Sequence, residues 1–145
     1  MQGKYAVKQA FAIFAYQIFV VMPIKFNSVN VFGEPLIVCS AEPITGFFRD
    51  GCCNTNEQDE GEHWVCVVAT KAFLEYSYEK GNDLITPRPT WNFPGLKAGD
   101  RWCICASRWM QAHEAGAAPM VVLEATHEKL LEYISLDQLV KYASK

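Results

Sequence analysis

Residues 63–145 alternate between apolar stretches of strand length and short helical stretches with clear end signals. The segment 63–69 is apolar and β-branched, which predicts a strand. Thr70 then provides a helix cap, and Gly81 provides the left-handed residue that commonly ends a helix. The sequence therefore predicts a helix between these two residues, with an inner face formed by Phe73, Leu74 and Ser77.

The same alternation continues to the end of the chain and indicates the fold class. The further predicted elements are a strand at 101–106, a helix at 107–115, a strand at 119–125, a short helix capped by Thr126, a strand end at 133–134 and a final helix opened by the capping box 135–138. Strands that alternate with short helices predict an α+β fold. We expect a compact two-layer sandwich, in which helices pack on a small mixed sheet. A doubly wound α/β fold is disfavoured because no glycine-rich phosphate loop follows any strand.

The first 28 residues differ from the remainder in charge. They carry three lysines and no acidic residue, whereas residues 29–145 carry 10 basic and 16 acidic residues and a net charge of −6. We divide the chain into an apolar extension, 1–28, and a single globular domain, 29–145. Three interpretations of the extension compete: a mis-assigned start, with Met22 as the true one; a targeting or tethering segment; or an apolar helix that packs on the domain or on a partner.

Composition excludes some classes of partner. Half of the residues are hydrophobic, which is typical of a globular chain and not of a disordered one. The net charge of −3 leaves no basic excess, so we expect no nucleic-acid partner. A membrane or protein partner is expected only if residues 1–28 are genuine.

The six cysteines are expected to be free thiols. Vicinal Cys52 and Cys53 would form a strained ring, and Cys103 and Cys105 are too far apart along one strand to bridge. Free thiols indicate a reducing compartment, which predicts a cytoplasmic protein, or an organellar or membrane-associated one if residues 1–28 are a targeting signal. No metal is predicted, because there is no pair of cysteine knuckles, and no cofactor is implied.

The string 49–55 is the most chemically loaded part of the sequence. Arg49 lies close to the cysteine pair, and a neighbouring cation favours the nucleophilic thiolate, here at Cys53. Such a thiol needs a histidine base, and His63 and His127 both lie beside loops. Asp50 is a further catalytic candidate. The structural alternative is that Arg49 and Asp50 pair to brace a tight loop.

A second group of candidates follows two predicted strands. Arg108 lies after one strand, and Glu124 and His127 flank the end of another, so parallel neighbouring strands would bring them to one rim. Arg108 could then bind an anionic group through its planar fork. Trp91, in the proline-rich loop 82–100, is expected to be exposed and to help close the site. The structural alternative is that Arg108 and Glu124 form an internal brace.

Several literal strings resemble the family known as domain of unknown function 2237. They are the runs Asn30-Val-Phe-Gly, Thr45-Gly-Phe-Phe-Arg-Asp-Gly-Cys-Cys-Asn-Thr, His63-Trp-Val-Cys, Gly81-Asn-Asp-Leu-Ile-Thr-Pro, Phe93-Pro-Gly-Leu-Lys-Ala-Gly-Asp-Arg-Trp-Cys-Ile-Cys and Glu124-Ala-Thr-His. The resemblance covers about residues 29–143 and implies a two-layer, single-domain α+β fold. It implies no activity and supplies no catalytic residue. Family members begin shortly before the first of these runs, which favours Met22 as the start.

Three functional hypotheses follow for this uncharacterised protein. The first is a small domain that binds a small anionic metabolite in one cleft, either as a binding protein or as an enzyme that also transforms it. The second is a non-enzymatic assembly subunit that contacts its partner through residues 1–28. The third is a thiol-based redox or metal-responsive protein that acts through Cys52 and Cys53. The sequence leaves open whether the protein is an enzyme.

Overall fold

A computed structural model describes residues 27–145. The expectations about the N-terminal extension concern residues 1–28. All but the last two of these lie outside the described part of the chain. The described elements are strands β1 (Val65–Val68) and β2 (Arg101–Ile104), helices α1 (Lys71–Glu79), α2 (Ala106–Glu114) and α3 (Leu136–Leu139), and four 3₁₀ turns at Pro89–Trp91, Leu123–Ala125, Glu128–Glu132 and Val140–Tyr142. This is the predicted α+β class. No helix among the described residues is long and apolar enough to cross a membrane.

The two strands form an antiparallel ribbon. Cys66 lies opposite Cys103 in its register, and Val121 adds a single antiparallel bridge to β1 at Val67. The strand predicted at 119–125 is therefore reduced to this bridge, because the chain turns into a 3₁₀ helix at Leu123–Ala125. The expectation that strands 101–106 and 119–125 are parallel neighbours was wrong, because both pair antiparallel with β1, on opposite sides of it, and so do not lie next to each other.

The helix ends largely follow the sequence signals. The Thr70 hydroxyl accepts the Phe73 N–H, and Gly81 takes a φ of +84° after α1. Ser135 caps α3 as the capping box predicts. Thr126, however, is not a cap: its hydroxyl is buried, accepts the N–H of Cys66 and donates to a main-chain carbonyl. The ring of His127 takes its place, since its Nδ1 accepts the N–H of Lys129.

Two buried clusters make up the core. The larger is aromatic and aliphatic and contains Trp102 and Trp109, both predicted to be core residues. The smaller, which we call the cysteine cluster, consists of Cys39, Cys53, Cys66 and Cys103 packed against Val122 and Ala125. It lies between the ribbon and the irregular segment 35–56.

Disulfides in the cysteine cluster correct the expectation of six free thiols. Cys39 is bonded to Cys66 on β1, and Cys53 to Cys103 on β2, with Cα–Cα distances of 5.7 and 5.5 Å. The sequence argument excluded only the pairs that are close along the chain, and all four bonded residues are distant in sequence. Among the described cysteines, Cys52 and Cys105 keep free thiols. The inference of a reducing compartment loses the support that six free thiols gave it.

We predict that Gly46→Ala destabilises the protein more than Gly99→Ala does. Their φ angles are +96° and +95°, so both variants carry the same left-handed strain of about 1–2 kcal/mol. A Cβ at Gly46 would in addition lie 2.3 Å from the Cys52 carbonyl oxygen, whereas a Cβ at Gly99 meets nothing within 4 Å. Urea unfolding of the oxidised protein should show a gap of at least about 1 kcal/mol. Equal losses would contradict the tight packing of this loop.

Candidate functional site

A free cysteine, a histidine and a buried carboxylate form a series in which each side chain contacts the next. The Sγ of Cys105 lies 3.5 Å from Nε2 of His63. The other ring nitrogen of His63, Nδ1, lies 2.6 Å from Oδ1 of Asp59. A nucleophile, a base within reach of it, and a third group that orients the base are the components of nucleophilic catalysis. We call these three residues the Cys–His–Asp series.

Asp59 is fixed before it meets the histidine. Its side chain is fully buried. Its second oxygen, Oδ2, accepts the Thr55 hydroxyl at 2.9 Å and the main-chain N–H of His63 at 3.0 Å. Thr55 is fixed in turn by the indole N–H of Trp64. The carboxylate therefore has little rotational freedom, which fixes the orientation of the ring that binds it.

The main chain beside His63 sets the spacing between base and nucleophile. The carbonyl of Glu62 accepts the N–H of Ala106, the first residue of α2, at 2.9 Å. Glu62 takes a φ of +53°, which an L residue rarely adopts. This strained residue attaches the acidic loop of residues 58–62 to the start of α2 and so brings His63 against Cys105. Gly61 packs on the ring itself, since a Cβ there would lie 2.6 Å from Cε1 of His63.

Cys105 is the residue that caps α2, and its side chain makes no capping hydrogen bond. The N-terminus of a helix carries partial positive charge and favours an anion beside it. Cysteines at such positions, or beside an imidazolium, have stabilised thiolates. Cys105 lies both at the N-terminus of α2 and beside the ring of His63, and it is partly exposed.

Its two partners raise the pKa of His63 from 6.5 to about 9. The hydrogen bond to Cys105 contributes most, burial opposes it, and Asp59 adds to it. His63 is therefore protonated at neutral pH. Because the folded-state pKa is the higher one, the stability from this ring is complete below about pH 6.5 and is lost as pH rises through about 9.

His63 also lines a cleft of about 670 Å³. Aromatic side chains form much of its wall, and charged groups border it: Phe47, Trp91, Phe93, Trp102, Arg49, Asp83 and Arg88. Phe47 stacks on the His63 ring at 6.1 Å between centroids. Arg49 and Arg88 face one carboxylate, that of Asp83, while the charge of protonated His63 is offset by Asp59 at 2.6 Å, so the charged border of the cleft carries a net positive charge.

Arg49 connects two walls of this cleft. Its Nη1 donates to the carbonyl of Gly46, and its Nη2 donates to the carbonyl of Trp91. Its guanidinium also lies 5.0 Å from the centroid of the Trp102 ring. Burial lowers the pKa of Arg49, and its Nε is buried with no hydrogen-bond partner. The structural alternative supposed that Arg49 and Asp50 pair. The guanidinium of Arg49 instead bonds to these two carbonyls and forms no ion pair with Asp50.

Three of the predicted site residues line the cleft together: Arg49, His63 and Trp91. Trp91 is 68% exposed, as expected. Cys53 is different, because it is fully buried and disulfide-bonded and so carries no free thiol. Asp50 braces its own loop, where it accepts the Cys52 N–H and the Asn54 amide.

The second predicted group does not line the cleft. Arg108 donates to the carbonyl of Lys80 and to Gln111, and it does not brace Glu124. Glu124 exposes its side chain, while its carbonyl accepts from Asn30. His127 is buried, and burial lowers its pKa, so its neutral ring serves as a helix cap. These residues depended on a parallel strand pair that the fold does not contain.

Sequence reasoning missed Cys105 and Asp59. The sequence patterns place Cys105 on a predicted strand, as one of six free thiols, and do not single out Asp59. One signal was available for Cys105, which lies two residues before the predicted start of a helix, and reactive cysteines occur at helix N-termini. For Asp59 the separation of four residues from His63 gave no comparable signal, because the intervening loop is irregular.

The fold and the site define a small α+β protein with a Cys–His–Asp series beside a positively charged, aromatic cleft. The chain belongs to the DUF2237 family, described as an uncharacterized protein conserved in bacteria, whose family model matches residues 29–143. A comparison with curated proteins found no similar protein.

We predict that Cys105→Ala lowers the pKa of His63 from its value of about 9, because the largest cause of the rise is the contact with Cys105. A pH titration of the ¹⁵N-labelled imidazole signals by NMR measures this. Cys52→Ala is the matched control, since it removes the other free thiol and should leave the His63 titration unchanged. An unchanged His63 pKa in Cys105→Ala would contradict the proximity of the two side chains.

Proposed function

We propose that the protein is a cysteine-dependent enzyme that acts on a small anionic substrate held in the cleft. The observation that carries the proposal is the Cys–His–Asp series, with Cys105 within 3.5 Å of a cleft-lining histidine. Such a series occurs where a thiol must be activated and its base must keep one orientation. The hypothesis of a small anionic ligand is retained here, with Cys105 in place of Cys53.

The chemistry we propose is acyl transfer through a thioester. The Cys105 thiolate attacks an acyl carbon, the S–C bond forms, and the leaving group departs with the proton of His63 Nε2. Water then gives a proton to Nε2 and its oxygen to the acyl carbon, and the thiolate is released. Asp59 accepts the Nδ1–H of the ring throughout. The N–H of Ala106 is bonded to the Glu62 carbonyl, so the N–H groups that follow it in the first turn of α2 provide the donors for the oxyanion.

The charge of the cleft supports an anionic substrate. Arg88 is paired with Asp83 at a long 3.7 Å, and the Arg88 side chain is about half exposed. Arg49 adds a second cation, which bonds to main-chain carbonyls, and beside these two guanidinium groups a carboxylate or phosphate gains favourable electrostatic energy. The flat aromatic walls would hold an apolar or planar remainder of the substrate.

We predict that Cys105 is alkylated faster than Cys52. Burial, followed by the charge of Asp50, raises the pKa of Cys52 and disfavours its thiolate. Peptide mass spectrometry after timed treatment with iodoacetamide separates the two sites. His63→Ala should slow the Cys105 reaction by roughly 10²-fold and leave Cys52 unaffected. Equal rates at both cysteines in the wild type would argue against an activated thiol.

Gly61→Ala should slow the Cys105 reaction without altering either of its partners chemically. The added methyl group would meet Cε1 of His63 at 2.6 Å and displace the ring. Gly33→Ala is the control for the cost of a glycine substitution away from the ring: its φ of +76° makes an alanine there strained, but its Cβ meets open space and does not touch His63. Circular dichroism establishes that both variants fold. A Gly61→Ala protein that is folded and reacts as fast as Gly33→Ala would show that ring position is unimportant.

The substrate charge can be tested with two alkylating agents of similar size. Iodoacetate is anionic and iodoacetamide is neutral. The rate with iodoacetate divided by the rate with iodoacetamide therefore reports the electrostatic potential at each thiol. We expect a higher ratio at Cys105, beside the cationic cleft, than at Cys52, beside Asp50. Arg88→Gln should lower the ratio at Cys105 only. A ratio at Cys105 no higher than that at Cys52 would count against an anionic substrate.

A further inference from the structure

We propose that the cysteine cluster is a redox-controlled zinc site. In the oxidised protein its four residues form two disulfides, and in the reduced protein their thiolates bind one zinc ion. The proposal is independent of the thioester chemistry, because neither Cys52 nor Cys105 takes part in it.

The sulfur atoms of the cluster are gathered in one place. The Sγ atoms of Cys39, Cys53 and Cys103 all lie within 4.8 Å of one another. These three atoms come from both disulfides, so the two bonds are neighbours and not separate cross-links. A tetrahedral zinc site, with Zn–S distances of about 2.3 Å, needs sulfur atoms roughly 3.8 Å apart. The approach required of these three atoms is therefore small, whereas the Sγ of Cys66, which is bonded to that of Cys39 but is outside the group of three, must move farther.

The ribbon fixes two of the four ligands. Cys66 and Cys103 are directly opposite, and their N–H groups point away from the partner strand, to the hydroxyls of Thr126 and Thr45. Opposite residues whose N–H groups point outward form the close type of antiparallel pair, with Cα atoms about 4.5 Å apart and side chains on one face. The rigid part of the protein thus presents two thiols side by side.

The irregular segment 35–56 supplies the other two ligands. Cys39 and Cys53 lie in a part of the chain without helix or strand, and the N–H of Cys39 bonds to the carbonyl of Gly51 in the same segment. The two loop cysteines therefore move with one another. A shift of this segment that keeps the bond from the Cys103 N–H to Thr45 would change the separation of the sulfur atoms while the two strands stay paired.

The surroundings of the cluster favour a soft ion. All four cysteines are buried, and the apolar side chains of Val122 and Ala125 pack against them. The group of possible ligand atoms contains sulfur alone, with no carboxylate or imidazole. Four thiolates in a closed tetrahedral arrangement are typical of structural zinc, whereas magnesium and calcium require oxygen ligands.

The exchange between the two states balances with a small disulfide as the oxidant. Two molecules of oxidised glutathione accept four electrons from the four protein thiolates, two protein disulfides form, and four small thiolates and the zinc ion are released. In the opposite direction two molecules of a dithiol reductant break the two disulfides by exchange, and each is oxidised to its own disulfide. Zinc then binds the thiolates, and the protons of the thiols are released to solvent.

The test is metal binding by the full chain after reduction and removal of the reductant under anaerobic conditions. Titration with Co²⁺ should give one equivalent per chain, with the intense ligand-field bands of tetrahedral thiolate coordination, and Zn²⁺ should displace it. Oxidised glutathione should then release the ion as two disulfides form, and mass spectrometry of the unreduced digest should find Cys39 joined to Cys66 and Cys53 to Cys103.

The controls separate the cluster from the free thiols. The double variant Cys52→Ser/Cys105→Ser keeps the cluster intact and should bind with the same stoichiometry and spectrum. Cys39→Ser should weaken binding by more than about tenfold, since even indirect changes around a metal site cost that much. If Cys39→Ser fails to fold, the double variant still shows whether the ion is bound by the cysteine cluster or by Cys52 and Cys105.

Three results would overturn the proposal. They are a reduced wild-type chain that binds no Co²⁺, octahedral spectra without sulfur coordination, and loss of the thiolate bands in the double variant, which would assign the ion to Cys52 or Cys105. Loss of Cys105 reactivity with metal binding retained would count against the proposed enzyme alone, so failure of one proposal is distinguishable from failure of the other.

Discussion

The described structure depends on one constraint, the attachment of residues 35–62 to a ribbon of two four-residue strands. These residues comprise the irregular segment 35–56 and the loop that follows it. A two-stranded ribbon is marginal in water, because it cannot bury a core by itself. Here its outer edges are satisfied by other parts of the chain: Thr45 accepts the N–H of Cys103, and Thr126 accepts that of Cys66. Both hydroxyls are fully buried, where leaving the N–H groups unpaired would cost about 1–3 kcal/mol each.

The same attachment assembles the site. The segment that supplies Thr45 also supplies Arg49 and, farther along, Asp59, while the strand and helix it covers supply Trp102 and Cys105. The residues that form the cleft are thus distant in sequence and become neighbours only when the loop is in place. A substitution that loosens this attachment is therefore expected both to lower the free energy of unfolding and to disrupt the site.

Local signals predicted the regular parts of the fold well. Thr70, Gly81 and Ser135 marked helix ends correctly, because capping depends on a few neighbouring residues. Disulfide pairing, strand direction and the Cys–His–Asp series could not be predicted this way. Each depends on how segments of low regularity cross one another, and in segment 35–62 no periodic pattern records that path.

Backbone strain is concentrated around the cleft. Three non-glycine residues with positive φ occur in the described part of the chain, namely Arg49, Glu62 and Asn92. Arg49 lines the cleft, Glu62 precedes His63, and Asn92 follows Trp91. Such conformations cost of order 1–3 kcal/mol each and persist where the surrounding structure enforces them, which is common at functional sites.

Glu62 shows what this strain accomplishes. Its carbonyl oxygen accepts two main-chain N–H groups, those of Trp64 and Ala106, so one atom joins the segment of His63 to the helix that follows Cys105. The separation of His63 and Cys105 is consequently encoded in the main chain and not in the packing of interchangeable side chains. The side chains of the cleft walls can therefore vary while these two residues keep their separation.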